Sequence, residues 1–331
     1  MATRLILFLS SFLGLAVAIT WFVFNPDFEP LVTSITLVAT FILSGLDLYK
    51  KLSIYSREIE LRFSLMGQVA SGKTVYLTVL FEELQRKGVN DFLFWPVGVE
   101  TIERHAKNLT SLMNGSWVPA SRPGECNRYE AFFVESVKRW KLRRELKLSY
   151  TDYSGEDINN TFVGDGYLRS EYDIPWIHKQ PFFQDLVKSD LVLIAIDLGR
   201  LSSSEGLKDV NMYTAAIHLL AEEKARKTGK FIAQPVCILF LKADLLERTE
   251  RGWWDDIDKS TALLRSQSLI KACESRCKHF RYFFVAAVGD VVFPHYDIDP
   301  SYEKNIHYPK TPLEPVNVVE PIKWALDQYF L

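Results

Sequence analysis

The sequence has almost no excess of either charge. Its 331 residues include 39 Lys and Arg against 41 Asp and Glu, which leaves a formal net charge of -2. A protein that binds nucleic acid over a broad surface carries a clear positive excess, because its phosphate contacts depend on it. We therefore expect no nucleic-acid partner. The length suits one large α/β domain with an additional segment.

Cysteine and histidine are scarce, with four and six residues respectively. Cys273 and Cys277 form one isolated C-x3-C pair, whereas zinc sites of the common types need two such pairs. The histidines show no spacing typical of metal ligands. We expect reduced thiols on one helix face and no transition metal. The chain also lacks an internal repeat and a low-complexity tract.

Charged residues are absent from two long stretches near the start of the sequence. Leu5 to Phe24 is twenty residues long, which matches the hydrocarbon core of a bilayer. Leu31 to Leu46 is a second uncharged stretch, and the short turn NPDFEP joins the two. This pattern predicts a transmembrane helical hairpin over residues 1–48, with spans at about 5–24 and 30–47. A charged connector, residues 49–58, follows it.

The charges that flank the two spans predict their orientation. Arg4 precedes the first span, Lys50 and Lys51 follow the second, and the turn between them carries only Asp27 and Glu29. Positive residues favour the cytoplasmic side. Both termini, and the domain that follows the hairpin, are therefore expected in the cytoplasm.

Two alternatives to the hairpin remain open at this point. The first span could be a signal peptide cleaved after Ala16-Val17-Ala18, although the apolar run continues beyond Ala18. The second span could be a buried helix of the following domain.

Strand and helix patterns alternate after the connector, over residues 59–331. A mostly parallel sheet covered by helices on both faces is the architecture that this alternation predicts. Residues 129–140 and 143–151 are predicted to form an antiparallel pair, and residues 89–128 to be irregular. The other predicted strands are 59–66, 190–197, 235–241 and 282–287, and the predicted helices are 75–87, 211–227, 261–277 and 316–330.

The segment GQVASGKT, Gly67 to Thr74, matches the pattern G-x-x-x-x-G-K-[ST] between a predicted strand and a predicted helix. Glycines in such a loop let backbone N–H groups point at phosphate oxygens. Lys73 supplies a cation to the β and γ phosphates, and the hydroxyl of Thr74 coordinates Mg²⁺. The segment therefore predicts a nucleotide site with Mg²⁺ as cofactor.

A second acidic ligand for Mg²⁺ is expected at the end of a neighbouring strand. Asp152 lies there, and Gly155 follows in the pattern D-x-x-G. This pattern suits a γ-phosphate sensor: the glycine N–H bonds the γ-phosphate, and hydrolysis then releases the segment that follows the glycine. Asp197 ends another buried strand and is the competing metal ligand, as an ATPase would require.

The segment LKAD, Leu241 to Asp244, follows another buried strand. One carboxylate can accept from both N1–H and the 2-amino group of guanine, a pair that adenine does not offer. Asp244 fits this role, and the stem of Lys242 can lie over the purine. The turn VAAVGD, Val285 to Asp290, follows the last strand, where a backbone N–H can meet the guanine O6.

In this order, the four segments resemble the P-loop GTPases of the Ras-like and translation-factor-related class, over roughly residues 59–331. The resemblance implies a three-layer sandwich with a mostly parallel sheet and one antiparallel strand. It implies a GTPase that hydrolyses GTP to GDP and signals to a protein partner through its switch loops. The ending NVVEPIKWALDQ is similar to the last helix of bacterial members and, together with the predicted hairpin, implies a protein of the bacterial inner (plasma) membrane. The implied nucleotide ligands are Gly67, Gln68, Val69, Ala70, Ser71, Gly72, Lys73, Thr74, Gly155, Lys242, Asp244 and Ala287, and the implied Mg²⁺ ligands are Thr74 and Asp152.

Three positions depart from the pattern of these GTPases. Leu241 stands where they have Asn or Thr, so the polar brace of the loop is missing. Glu156 stands where a water-orienting Gln is common, and it is either a catalytic base or a solvated switch residue. In the predicted first switch, NGSWVPASRPGEC, the metal-binding hydroxyl could be Ser116 or Ser121, with Thr110 further upstream.

Two other functions therefore remain open. One is a membrane-tethered ATPase that energises a transport or secretion assembly, with Asp197 or Asp152 as metal ligand. The other is a GTP-binding scaffold that no longer hydrolyses GTP, which the residues Leu241 and Glu156 favour.

Overall fold

Seven strands form the central sheet of the computed structural model. The model describes residues 59–90, 92–119, 121–122, 124, 126–135, 145–164, 167–168, 173–228, 231–244, 258–289, 291–292 and 308–330. The predicted hairpin of residues 1–48 and the connector lie outside these residues. No helix within the described ranges is long and apolar enough to cross a membrane.

The strand order of the sheet is β2-β3-β4-β1-β7-β8-β9. Strand β3 pairs antiparallel with both β2 and β4, and the other pairings within this sheet are parallel. One of the seven strands of this sheet therefore runs against the rest, as the family resemblance implies. The strands are β1 Ile59–Gly67, β2 Phe92–Val97, β3 Cys126–Glu135, β4 Glu145–Tyr153, β7 Leu191–Asp197, β8 Val236–Leu241 and β9 Phe280–Val285, and short ladders pair β5 Val163–Gly164 with β6 Tyr167–Leu168 and β10 Val291–Val292 with β11 Tyr308–Pro309.

Helices cover both faces of the sheet. Tyr76, Leu80 and Ile322 belong to the core on one face, and Phe183 and Tyr213 to the core on the other. The predicted α/β architecture with helices on both sides is confirmed. The described helices are α1 Lys73–Lys87, α2 Val99–Met113, α3 Gly155–Phe162, α4 Ile174–Ile177, α5 Pro181–Lys188, α6 Leu198–Leu201, α7 Ser204–Thr228, α8 Lys259–Arg265, α9 Gln267–Arg276 and α10 Glu320–Phe330.

The parallel direction of the strands decides where the motifs meet. Every residue of β7 and β8 is buried, which agrees with their continuous apolar sequences. The carboxyl ends of β1, β4, β7, β8 and β9 lie at one edge of the sheet, since these strands run in the same direction. All the motif segments follow these ends, so the topology brings them to one edge.

The prediction that residues 89–128 are irregular is wrong for much of the segment. Strand β2 adds an edge to the sheet, and α2 follows it. The buried face of α2 consists of Thr101, His105, Asn108 and Leu112. Three of these four residues are polar. The apolar residues Val99, Ile102 and Met113 recur at helical spacing but are exposed, so the helical period is present in the sequence while its apolar face does not mark the buried side.

The helix predicted over residues 261–277 is two helices. It breaks at the fully buried Ser266, which ends α8 and precedes α9. Cys273 lies in α9, and both Cys273 and Cys277 are buried and unoxidised. The predicted antiparallel pair is confirmed as β3 and β4, and residues 136–144 between them lie outside the described part.

Candidate functional site

A cavity of about 430 Å³ opens at the edge of the sheet where the parallel strands end. Segments far apart in sequence meet on its wall: the loop after β1, the start of α3, the turn after β8 and the turn after β9. The predicted ligands that line it are Val69, Ala70, Ser71, Gly72, Lys73, Thr74, Gly155, Lys242, Asp244 and Ala287. Gly67 and Gln68 lie behind this wall, at the base of the loop.

The loop between β1 and α1 has the backbone that its glycines predict. Gly72 has a φ of 90° and Ala70 a φ of 59°, both in the left-handed region. Helix α1 begins at Lys73, and no side chain caps its first turn. This turn lines the cavity, so its uncapped N–H groups and the positive end of the helix dipole lie at the cavity wall. Both features suit the binding of a phosphate.

Lys73 is held against the base of the loop. Its Nζ donates to the carbonyl oxygens of Gly67, at 2.7 Å, and Gln68, at 2.9 Å. Burial lowers the pKa of Lys73 to about 8, and the charge of Asp152 acts in the opposite direction. An anion in the cavity would restore the pKa of this lysine towards its usual range.

Asp152 lies behind the cavity wall and is fully buried. Its carboxylate accepts from the hydroxyls of Tyr150, at 2.8 Å, and Ser121, at 3.2 Å. Burial raises the pKa of Asp152, while these hydroxyls and Lys73 lower it. A buried carboxylate of this kind is stabilised when a cation approaches it.

The oxygen atoms near Asp152 suit a magnesium ion. The Thr74 hydroxyl lies on the cavity wall, and the Ser121 hydroxyl reaches the Asp152 carboxylate. Hydroxyl and carboxylate oxygens are hard ligands of the type that Mg²⁺ prefers. Ser71 Oγ is also buried, and it has no hydrogen-bond partner within the described part of the chain. The residues present therefore fit a nucleotide with Mg²⁺.

Gly155 presses against the phosphate loop. A Cβ at this position would lie 2.1 Å from the nitrogen of Val69 and 2.3 Å from the carbonyl carbon of Gln68. No other residue fits without displacing the loop or α3. The D-x-x-G pattern therefore joins the start of α3 to the loop by direct backbone contact.

The LKAD turn brings its charged residues to the cavity. Lys242 has a φ of 62°, and its Nζ lies 2.6 Å from Oδ2 of Asp197. The other oxygen of Asp197 accepts from the N–H of Gly199 at 2.8 Å. Asp197 is thus already paired with a cation, which counts against it as a metal ligand, whereas the hydroxyls that donate to Asp152 are neutral. Asp244 lines the cavity beside Lys242.

Leu241 lies next to the loop and is buried. It is 2% exposed, and its Cδ1 lies 3.8 Å from the position of a Cβ built on Gly72. A polar residue at this position would brace the loop by a hydrogen bond. In this chain an apolar side chain occupies the position.

The structure distinguishes the candidate hydroxyls of the first switch. Ser121 reaches Asp152, whereas Ser116 is exposed and Thr110 lies within α2. Glu156, the predicted catalytic residue, is exposed in the first turn of α3 and does not line the cavity.

Several residues of the cavity wall were not among the predicted site residues, and they include Trp117, Tyr153 and Arg200. Each lies close to a recognised segment, because Tyr153 follows Asp152 and Arg200 follows Asp197 by three positions. Trp117 belongs to the predicted first switch and Tyr153 to the D-x-x-G segment, so only their contact with the cavity was missed, whereas proximity to a strand end was the only signal for Arg200.

No protein-family model and no curated protein matches the sequence. Among solved structures, the chain is similar to the Arl6 BBS3 small GTPase from Trypanosoma brucei with a bound nucleotide analogue, at 12% identity and a TM-score of 0.35 over 81% of this chain and 96% of that one. It is similar to the Ski7 GTPase-like domain of S. cerevisiae bound to GDP and phosphate, at 12% identity and a TM-score of 0.39 over 73% of this chain and 45% of that one. It is also similar to nucleolar GTP-binding protein 1 of Plasmodium falciparum, at 10% identity and a TM-score of 0.32 over 70% of this chain and 78% of that one. Similarities at this level decide nothing about activity.

Proposed function

We propose that this chain is a Mg²⁺-dependent GTP-binding protein that hydrolyses GTP to GDP and works as a switch. The observation that carries the proposal is the shared cavity wall, on which the phosphate loop, Gly155, Asp244 and Ala287 meet. Phosphate-binding and base-reading groups come from different parts of the sequence, and they lie around one cavity of a size that suits a small ligand.

Guanine is the favoured base because of the turn after β8. Asp244 can accept from the two adjacent donors of guanine, and the ion pair with Asp197 holds Lys242 beside it. The ATPase alternative with Asp197 as metal ligand has less support, because the Lys242 cation already pairs with the Asp197 carboxylate.

Magnesium would be held by Thr74 and Asp152, with Ser121 beside them. When bound, the metal neutralises charge on the phosphates during transfer. Lys73 would leave the carbonyl oxygens of Gly67 and Gln68 for the phosphates, and Gly155 would offer its N–H to the γ-phosphate. Release of that contact after hydrolysis would free α3, which begins at Gly155.

The membrane location belongs to the same proposal. The two apolar stretches of residues 5–24 and 30–47 would anchor the chain in the bacterial inner membrane, with both termini and the nucleotide domain in the cytoplasm. A protein partner would read the nucleotide state through the first switch and α3.

Calorimetry on the purified full chain with Mg²⁺ tests the proposal. GDP and GTP should bind much more tightly than ADP and ATP. Lys73→Ala should abolish binding, whereas Lys87→Ala, at the other end of α1, should leave it unchanged. Equal affinity for guanine and adenine nucleotides would contradict the proposal.

A GTP-binding scaffold with very slow turnover is the second candidate. The exposed position of Glu156, away from the cavity wall, favours it. A single-turnover measurement of phosphate release separates the two functions. Clear hydrolysis that Glu156→Ala slows would support the GTPase with Glu156 as its base, and GTP that stays bound and intact would support the scaffold.

A further inference from the structure

The base of the phosphate loop is held from behind by helix α7. The N–H of Gln68 donates to the hydroxyl oxygen of Tyr213 at 2.9 Å, and this hydrogen bond is buried. Tyr213 is 1% exposed and lies within the core on the α7 side of the sheet. None of the recognised motifs includes Tyr213.

Gln68 also makes contacts with two other elements. Its side-chain Nε2 donates to Oδ1 of Asn159 in α3 at 3.2 Å and lies 3.3 Å from the sulfur of Met212 in α7. Its carbonyl oxygen accepts from Lys73. One loop residue therefore joins the phosphate-binding lysine, the helix after D-x-x-G and the helix behind the loop.

The space behind the loop is almost filled. A cavity of about 10 Å³ remains there, lined by residues that include Gln68, Ser71, Asp209 and Tyr213. This volume accommodates about one water molecule at most. If the Tyr213 hydroxyl is removed, the Gln68 N–H depends on Ser71, Asp209 or a single water for a new partner.

We infer that Tyr213 is a positioning residue of the nucleotide site, whose hydroxyl fixes the Gln68 amide and thereby the orientation of the phosphate loop. Gln68 extends this effect to α3 through Asn159. The inference rests on the proposed nucleotide function for its ligand, but the geometry concerns the loop itself. A loop that is fixed before the ligand arrives binds more tightly, because less freedom is lost on binding.

Tyr213→Phe tests this inference, since it removes one oxygen and keeps the ring. Tyr76→Phe is the matched control: Tyr76 is also fully buried, and its hydroxyl donates at 3.2 Å to the carbonyl of Val318, not to the loop. Both variants should lose similar thermal stability. GDP affinity of the full chain should fall about tenfold in Tyr213→Phe, with faster dissociation, because a buried N–H loses its partner. The GDP affinity of Tyr76→Phe should stay at the wild-type value.

Hydrogen exchange on the nucleotide-free chain gives a readout that does not depend on nucleotide binding. Tyr213→Phe should accelerate exchange in residues 67–74, and Tyr76→Phe should not. Unchanged exchange and unchanged affinity in Tyr213→Phe would overturn the inference, as would equal losses of affinity in both variants. If the wild-type chain bound no nucleotide while Tyr213→Phe still loosened the loop, the proposed function would fail and the positioning role would stand.

The extension to α3 is tested at Asn159. Asn159→Asp keeps an acceptor oxygen for Gln68 Nε2, whereas Asn159→Leu removes it. GDP should protect residues 155–162 from exchange in the wild type and in Asn159→Asp, and this protection should be lost in Asn159→Leu. Equal protection in both variants would overturn the coupling between Gln68 and α3.

Discussion

Lys73 is buried, and burial disfavours its positive charge. Burial lowers its pKa from 10.5 to about 8, so the folded chain binds fewer protons than the unfolded chain between these pH values. The contribution of Lys73 to the free energy of unfolding therefore rises with pH across this window, because the folded state no longer contains a buried charge.

The same pKa predicts how nucleotide affinity depends on pH. Phosphates need the charged lysine, so binding above pH 8 must take up a proton, and affinity should fall by up to about tenfold per pH unit there. Calorimetry with GDP at pH 7, 8 and 8.5, in buffers of different ionisation enthalpy, measures both the affinity and the proton uptake. An affinity that stays constant over this range, without proton uptake, would contradict the role given to Lys73.

Leu241 places an apolar side chain at the position where the guanine motif has a polar one. Leu241→Asn restores the side chain expected in the guanine motif, but it places an amide in a buried apolar site below Gly72. We expect the free energy of unfolding to fall by about 3 kcal/mol, with no gain in GDP affinity. Chemical denaturation and GDP titration measure the two effects.

Leu264→Asn is the control for this substitution, because Leu264 is 68% exposed in α8 and should tolerate the change. Tighter GDP binding by Leu241→Asn, with unchanged stability, would mean that the loop lacks a brace in the native chain.

At the scale of elements, α3 is the segment most closely tied to the site. Ser154 caps it, since its Oγ accepts from the N–H of Asp157 at 3.0 Å and donates to the Asp157 carboxylate at 2.7 Å. That carboxylate also accepts from the N–H of Gly124 in the first switch, at 3.1 Å. The cap of α3 and the contact between the two proposed switch segments therefore share one side chain.

Removing this cap should loosen both segments. Ser154→Ala should cost about 1 kcal/mol of helix stability and accelerate hydrogen exchange in residues 155–162 and 121–124. Asp258→Ala is the control. The Asp258 side chain caps α8 by accepting from the N–H of Thr261 at 2.6 Å, so this variant should change hydrogen exchange in α8 alone. Exchange in α3 that stays at the wild-type rate in Ser154→Ala would contradict this account of the switch.

The elements also show what the sequence can and cannot predict. Strands β7 and β8 are predictable because they are buried on both faces and read as continuous apolar runs. Helix α2 has apolar residues at helical spacing, such as Val99, Ile102 and Met113, but these are exposed, and its buried face was not predictable because that face is mainly polar. The choice between Ser116 and Ser121 is also beyond the sequence, since the two hydroxyls are chemically alike and only the fold brings Ser121 to Asp152.

At the scale of the whole molecule, the direction of the strands assembles the site. The four motifs follow strands that end at one edge, so recognising strand and loop order was enough to predict most of the cavity wall. Tyr213 and Arg200 were beyond this reasoning. They lie on α7 and α6, and their approach to the loop depends on how these helices pack.

The proposed anchor makes a prediction about the topology of the full chain. If residues 5–24 and 30–47 span the inner membrane, an impermeant thiol reagent should label Asp27→Cys from outside intact cells and should label Lys50→Cys only after permeabilisation. The parent chain with its native cysteines is the control. A chain recovered in the soluble fraction, with its first residues cleaved after Ala18, would contradict the hairpin.

The central claim, that the cavity reads guanine through Asp244, is tested most directly by exchanging the base and the carboxylate together. Xanthine has a carbonyl where guanine has its 2-amino group, so an asparagine amide can donate to it and a carboxylate cannot. Titration of the full chain with GDP, ADP and xanthosine diphosphate should give a wild type that prefers GDP by at least about a hundredfold, because a mismatched base leaves buried polar groups unpaired. Asp244→Asn should lose GDP and gain xanthosine diphosphate. A wild type that binds ADP as well as GDP, or an Asp244→Asn variant with unchanged preference, would contradict the claim.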